Sequence, residues 1–146
     1  MTPAAPLRPS VSARELAVIA VGGAAGASAR YAIARAEPVR AGSFPLTTFV
    51  INIAGAFVLG VLLESLARSG LETWWIRPFA AVGMLGGFTT FSTMCAEAVL
   101  LGRDGHVALA ALYLGASGCA GVVAVVAGLR AAGLPRHTVP PTEGES

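Results

Sequence analysis

Four stretches of this chain are apolar for long enough to cross a bilayer, and that limits its possible folds more than any other feature. A helical span needs about 20 mostly apolar residues to reach across roughly 30 Å of hydrocarbon. Leu16 to about Ile33, Phe44 to Leu66, Trp74 to about Leu101, and Val107 to Leu129 all satisfy that length. Backbone amides have no water to bond in such a setting, so a helix is the form these stretches take. Composition agrees: 55% of the residues are hydrophobic and 12% charged, with a mean hydropathy of +0.71, outside the ordinary soluble range. The expected fold is an all-α membrane protein with four transmembrane helices, a multi-pass occupant of the cell membrane.

The segments between and beyond the spans carry the loop signals. Residues 1–13 read as a flexible N-terminal lead, 14–130 as the four-span membrane domain and 131–146 as a flexible C-terminal tail. Glu37 to Ser43, Arg68 to Glu72 and Gly102 to Gly105 turn the chain. The first span has a second reading as a signal peptide, since Ala27-Ser28-Ala29 resembles a cleavage site, but Gly22, Gly23 and Gly26 make a poor secretory segment. The Gly22/Gly26 pair instead has the spacing that lets membrane helices approach closely. Four spans put both termini on one side. Arg8, Arg14, Arg68, Arg77, Arg130 and Arg136 fall on that side, against Arg35, Arg40 and Arg103 on the other. The bias favours termini inside, and it is modest enough that both orientations are conceivable.

Several function classes fall away. The formal net charge is only +2 and no basic cluster appears, which argues against a nucleic-acid partner. Cys95 and Cys119 lie inside spans without metal-ligand spacing and read as free thiols. There is no nucleophile-base pair, metal cluster or phosphate-binding loop. His106 stands in a turn near Asp104 and His137 in the tail, so an enzyme is not expected.

The third span breaks the aliphatic pattern. Gly83-Met84-Leu85-Gly86-Gly87-Phe88-Thr89-Thr90-Phe91-Ser92-Thr93-Met94 packs three glycines and four hydroxyls into one run. Each glycine weakens a helix by roughly 1 kcal/mol relative to alanine, and hydroxyls at bilayer depth require partners. Irregular backbone is tolerated there only when protein buries it or a wet cavity borders it. A broken helix beside an ion pathway is the expectation.

Other polar residues cluster around that idea. Asn52 is the one strongly polar side chain interrupting the second span; it reads either as an interhelical hydrogen bond or as a donor facing an anion. Thr89, Thr90, Ser92 and Thr93 add hydroxyl donors, and an anion crossing a bilayer needs donors more than fixed charge. Phe88, Phe91 and Met94 follow one another at helical-turn spacing, as packing or as ring edges offered to an anion. Glu64 reads as a snorkelling side chain. Arg30 could draw anions into a vestibule, while Glu97 could accept hydrogen bonds from hydroxyls or serve as a proton site. Tyr113, Ser117 and Gly121 recur every four residues, giving a face that is either packing or a polar track.

Three motifs together resemble a known family. Gly22-Gly23-Ala24-Ala25-Gly26-Ala27-Ser28-Ala29-Arg30-Tyr31, Phe49-Val50-Ile51-Asn52-Ile53-Ala54-Gly55-Ala56-Phe57 and Gly86-Gly87-Phe88-Thr89-Thr90-Phe91-Ser92-Thr93 are similar, in order and spacing, to the Fluc (CrcB) fluoride channels. The resemblance runs from about Leu16 to Leu129. It implies an antiparallel, dual-topology dimer with two fluoride pores that passively exports fluoride from the cytoplasm and so reduces its toxicity. It further implies that Asn52 contacts fluoride, that Phe91 belongs to a facing aromatic box, and that Ser92 and Thr93 line the adjoining polar track. Backbone carbonyls of Gly86 and Thr89 would hold a structural sodium ion at the dimer centre, as carbonyls freed at a helix break can. Arg30 matches the family's first-span arginine, Glu97 its third-span glutamate, and Tyr113 with Ser117 the fourth-span polar positions.

One position departs from the family pattern: Met94 stands where a second phenylalanine is usual, and methionine has no ring edge to offer. The working unit is therefore expected to be a homodimer, or a heterodimer with a paralogous copy. Two rival functions remain from the residues alone. A proton-coupled small multidrug exporter wants a carboxylate deep in the first span, whereas Glu15 stands at its start; a non-transporting membrane assembly subunit would use the glycines for packing only.

Overall fold

A computed structural model of the chain describes residues 11–36, 42–70 and 73–133. The expected lead, the first loop and the tail fall largely outside the described residues. Within them the fold is all-helical, and four helical stretches are long and apolar enough to cross a membrane. The first is α1 (Ala13–Ala36) and the second α2 (Leu46–Ser69), each 24 residues long, or about 36 Å at 1.5 Å per residue. The third covers Arg77–Arg103 and comes in pieces: a π-helix (Arg77–Leu85), a final α turn α3 (Gly86–Phe88) and then α4 (Phe91–Arg103). The fourth is α5 (Val107–Gly133).

The expected interruption falls at Thr89 and Thr90. Thr89 has φ −78° and ψ 156°, and Thr90 has φ −148° and ψ 116°, so two consecutive residues are extended where a helix would continue. The sequence did not announce the nine-residue π-helix before them. Pro78, in its first turn, contributes no amide to an α ladder. The wider winding also carries a surface that α1 meets at backbone distance.

That contact is a two-way glycine seam. A Cβ on Gly26 would fall onto the carbonyl of Met84 and one on Gly22 onto that of Phe79; from the other side, Gly83 faces the carbonyl of Ile19 and Gly87 that of Gly23. The close approach expected of Gly22 and Gly26 is thus present, and its partner is the first half of the third span. α2 and α5 pair in the same way, with Gly60 against the Val125 carbonyl and Gly128 against that of Phe57. Small residues at such interfaces are what let membrane helices associate by close packing.

Large side chains do the rest of the packing where α4 meets α5. Ala98, Leu101, Ala110 and Tyr113 are buried there, with Phe44, Phe49, Met94 and Leu109 packed against them. Elsewhere Val21, Leu46, Val50, Val99, Leu112, Val122 and Val123 are all more than half exposed. An apolar exterior of this kind suits hydrocarbon rather than water. Trp74 and Trp75 stand exposed just ahead of the third span, where an interfacial belt is expected.

Candidate functional site

The break is hydrogen-bonded from both flanks. From α1, Arg30 donates its Nε–H to the carbonyl of Gly87 at 3.2 Å. From α2, Asn52 takes both peptide groups of Thr90: its Oδ1 accepts the Thr90 N–H at 2.8 Å, and its Nδ2 donates to the Thr90 carbonyl at 3.1 Å. One turn along α2, Gly55 leaves room for the Thr89 methyl and the Phe88 ring, which a Cβ would strike. The interhelical reading of Asn52 is therefore realised, with a backbone rather than a side chain as partner. An amide carries two Nδ2 hydrogens, and this pairing uses one of them.

Hydroxyls finish the break. Thr89 Oγ1 and N both donate to the Leu85 carbonyl, at 2.9 and 3.0 Å. Thr90 is the N-cap of α4: its Oγ1 accepts the Thr93 N–H at 3.1 Å, which satisfies one of the donors a helix start leaves unpaired. Thr93 Oγ1 lies 3.0 Å from Thr90 Oγ1 in a hydrogen bond, and Ser92 Oγ lies 3.3 Å from the same atom. Four hydroxyl-bearing residues at bilayer depth are thereby accounted for locally.

Beside the break runs a groove of about 620 Å³, between α2, the third span and α5. Asn52, Thr90, Phe91, Met94 and Ser117 line it, as do Gly86 and Thr89. Of the residues expected on an anion route, Asn52, Phe91, Met94 and Ser117 are thus brought together. Phe91 is 75% exposed, its ring standing off the chain next to the groove. Ser117 Oγ is buried and has no hydrogen-bond partner among the described residues.

Tyr113 goes elsewhere. It is fully buried and donates its Oη–H to Glu97 Oε2 at 2.7 Å, while Thr48 Oγ1 donates to Glu97 Oε1 at 2.8 Å. Phe44 packs edge-on against the Tyr113 ring, with centroids 5.2 Å apart. Glu97 therefore accepts from two hydroxyls, one of the two roles open to it in the sequence. Thr48 went unremarked in the sequence and Gly55 was quoted only within the second motif, without a role, although each lies about one helical turn from Asn52 on α2, and that spacing was the available signal. Glu64 pairs with Arg68 at 2.7 Å, and Arg68 Nη2 reaches the Gly133 carbonyl at the end of α5 at 2.6 Å.

Fold and site define a four-span membrane protein whose third span is broken around a polar, groove-lining centre. Residues 17–129 match the family described as CrcB-like protein, Camphor Resistance (CrcB), and the chain belongs to that family. It is 46% identical over 114 residues to fluoride-specific ion channel FluC 3 of Streptomyces avermitilis, a match covering 78% of this chain and 56% of that protein's length. It is 41% identical over 127 residues to FluC 2 of Nocardia farcinica, covering 87% of this chain and 88% of the relative. With FluC of Methanopyrus kandleri the identity is 43% over 122 residues, 84% of this chain and 92% of the relative. Each of these relatives is named as an ion channel, the non-enzymatic class expected from the sequence.

Proposed function

We propose that the chain is a fluoride-selective channel of the plasma membrane through which fluoride leaves the cytoplasm passively, relieving its toxicity. The observation that carries this reading is the break at Thr89 and Thr90, set in a groove with Asn52, Phe91, Met94 and Ser117. The names of its relatives supply the ion.

Fluoride must exchange its water for donors that hold it without trapping it. The Nδ2 hydrogen of Asn52 not used on Thr90 and the positive edge of the Phe91 ring offer such donors in one groove, with the Ser117 hydroxyl, buried in its wall and without a partner among the described residues, beside them. Ser92 and Thr93 stand close by on α4, already engaged with Thr90. Tyr113 and Glu97 form a separate polar cluster, and Arg30 is a cation at the other flank of the break.

The functional unit is an antiparallel dimer, of two copies or of this chain with a paralogous one. The exposure of Phe91 beside an open groove supports it, because a second chain laid there would cover the ring and wall the route. A structural sodium ion fits the carbonyls of Gly86 and Thr89. In an α-helix those carbonyls accept from the amides of residues 90 and 93. Here the Thr90 amide goes to Asn52 and the Thr93 amide to Thr90 Oγ1, which leaves both oxygens without their helical partners. Such freed carbonyls are suited to a hard monovalent cation, whose charge would pin two facing breaks together. The exporter reading gains no support from this geometry: Glu15, the carboxylate it would need at depth, sits in the first turn of α1.

Replacing Asn52 by Asp tests the assignment in proteoliposomes. A carboxylate repels the ion and removes the free donor, so fluoride efflux should be abolished. Efflux at the wild-type rate from a folded Asn52→Asp protein would defeat it.

A further inference from the structure

The geometry points to Asn52 as a positioning residue for the break itself: its carboxamide keeps Thr90 extended and keeps the Gly86 carbonyl from recapturing the Thr90 amide. The part concerning a cation rests on the sodium reading above.

A helix interrupted in a bilayer tends to close, because every peptide group left unpaired at that depth costs free energy. Closing this one requires the Thr90 N–H to return to the Gly86 carbonyl, its partner at i−4. The two residues that would have to rewind are threonines, not residues barred from a helix, so local sequence alone does not hold them open. Asn52 competes for that amide at 2.8 Å and holds the Thr90 carbonyl at 3.1 Å, so one side chain reproduces both halves of a backbone pairing. Asparagine alone among similar-sized side chains carries an acceptor and an N–H donor on one planar group. Gly55 admits Thr89 and Phe88 on the same face of α2, so the extended pair is matched in shape as well as in hydrogen bonding. Asn52 thus has two duties. One Nδ2 hydrogen and Oδ1 shape the break, and the other Nδ2 hydrogen is left for the groove. The anion route and the Gly86 oxygen consequently depend on one residue.

The test compares the full-length wild type with Asn52→Leu, a near-isostere with no polar atom, and with Thr48→Val, which removes another polar group from α2 one turn away. The first readout is solid-state NMR of protein labelled with 13C-threonine in lipid bilayers. Thr90 should show extended Cα and Cβ shifts in the wild type and Thr48→Val, and helical shifts in Asn52→Leu. The second is the rise in unfolding temperature when sodium replaces N-methylglucamine, which should be lost in Asn52→Leu and kept in Thr48→Val. Extended Thr90 shifts in Asn52→Leu would overturn the inference, and so would an undiminished sodium effect in that variant. If the wild type shows no sodium effect while Asn52→Leu turns helical, the positioning role stands and the cation reading falls. Should Asn52→Leu fail to fold, Asn52→Asp serves instead. It retains an acceptor for the Thr90 amide and should keep Thr90 extended, and helical shifts there would be contradictory.

Discussion

Tyr113 and Glu97 are joined by a 2.7 Å hydrogen bond from a phenol to a carboxylate, across the contact between α5 and α4. With Thr48 on the second carboxylate oxygen, this bond ties α2, α4 and α5 together at one point. Removing the phenol oxygen leaves a part-buried carboxylate short of a donor, a loss of about 1.5–3 kcal/mol for a bond to a charged group. Tyr113→Phe should therefore lower the unfolding midpoint in detergent, whereas an unchanged midpoint would mean the bond carries no weight.

The seam between α1 and the third span makes a sharper steric prediction. Alanine at position 26 would drive its methyl into the Met84 carbonyl, a backbone atom that cannot swing aside. Overpacking of that kind costs about 1–3 kcal/mol. Gly115→Ala is the control, because a Cβ there meets nothing within 4 Å and gains up to about 1 kcal/mol of helix propensity. Gly26→Ala should be destabilised and Gly115→Ala not; equal stability of the two by thermal unfolding would contradict the seam.

Arg30 separates charge from geometry. Its Nε–H is spent on the Gly87 carbonyl, whose helical partner lies beyond the break. Lysine keeps the charge but has no Nε–H at that position. If the arginine acted only as an anion-attracting charge, Arg30→Lys would preserve flux. The hydrogen bond instead leads to reduced fluoride efflux in Arg30→Lys that added salt neither causes nor relieves.

Met94 borders the groove and also leans on the buried cluster around Tyr113. A phenylalanine there adds a ring edge beside Phe91 and keeps an apolar contact with the cluster. Met94→Phe should retain fluoride transport. A folded protein with no flux would show that methionine is specifically required.

Much of this was legible in the sequence, for identifiable reasons. The spans were visible because long apolar runs admit only a helix in hydrocarbon, and the interruption because Gly86, Gly87, Thr89 and Thr90 break that pattern together. The Gly22/Gly26 spacing announced a close contact, although not which helix it would meet. The π-helix was not legible, since nothing local in Arg77–Leu85 demands that winding and its contact with α1 at Gly83 is a tertiary one. Nor was the target of Asn52, because an amide pairs as well with an ion, a side chain or a peptide group. Tyr113 and Ser117 share a face by spacing, but a four-residue step is about 6 Å along the axis. That distance is enough to give one a carboxylate partner and leave the other in the groove.

The measurement that bears most directly on the whole account is ion efflux from liposomes containing only this chain, followed with a fluoride electrode and, in parallel, a chloride electrode. Rapid fluoride release with chloride retained is the predicted result. A reconstituted, folded chain that releases no fluoride, or passes chloride equally well, would contradict it.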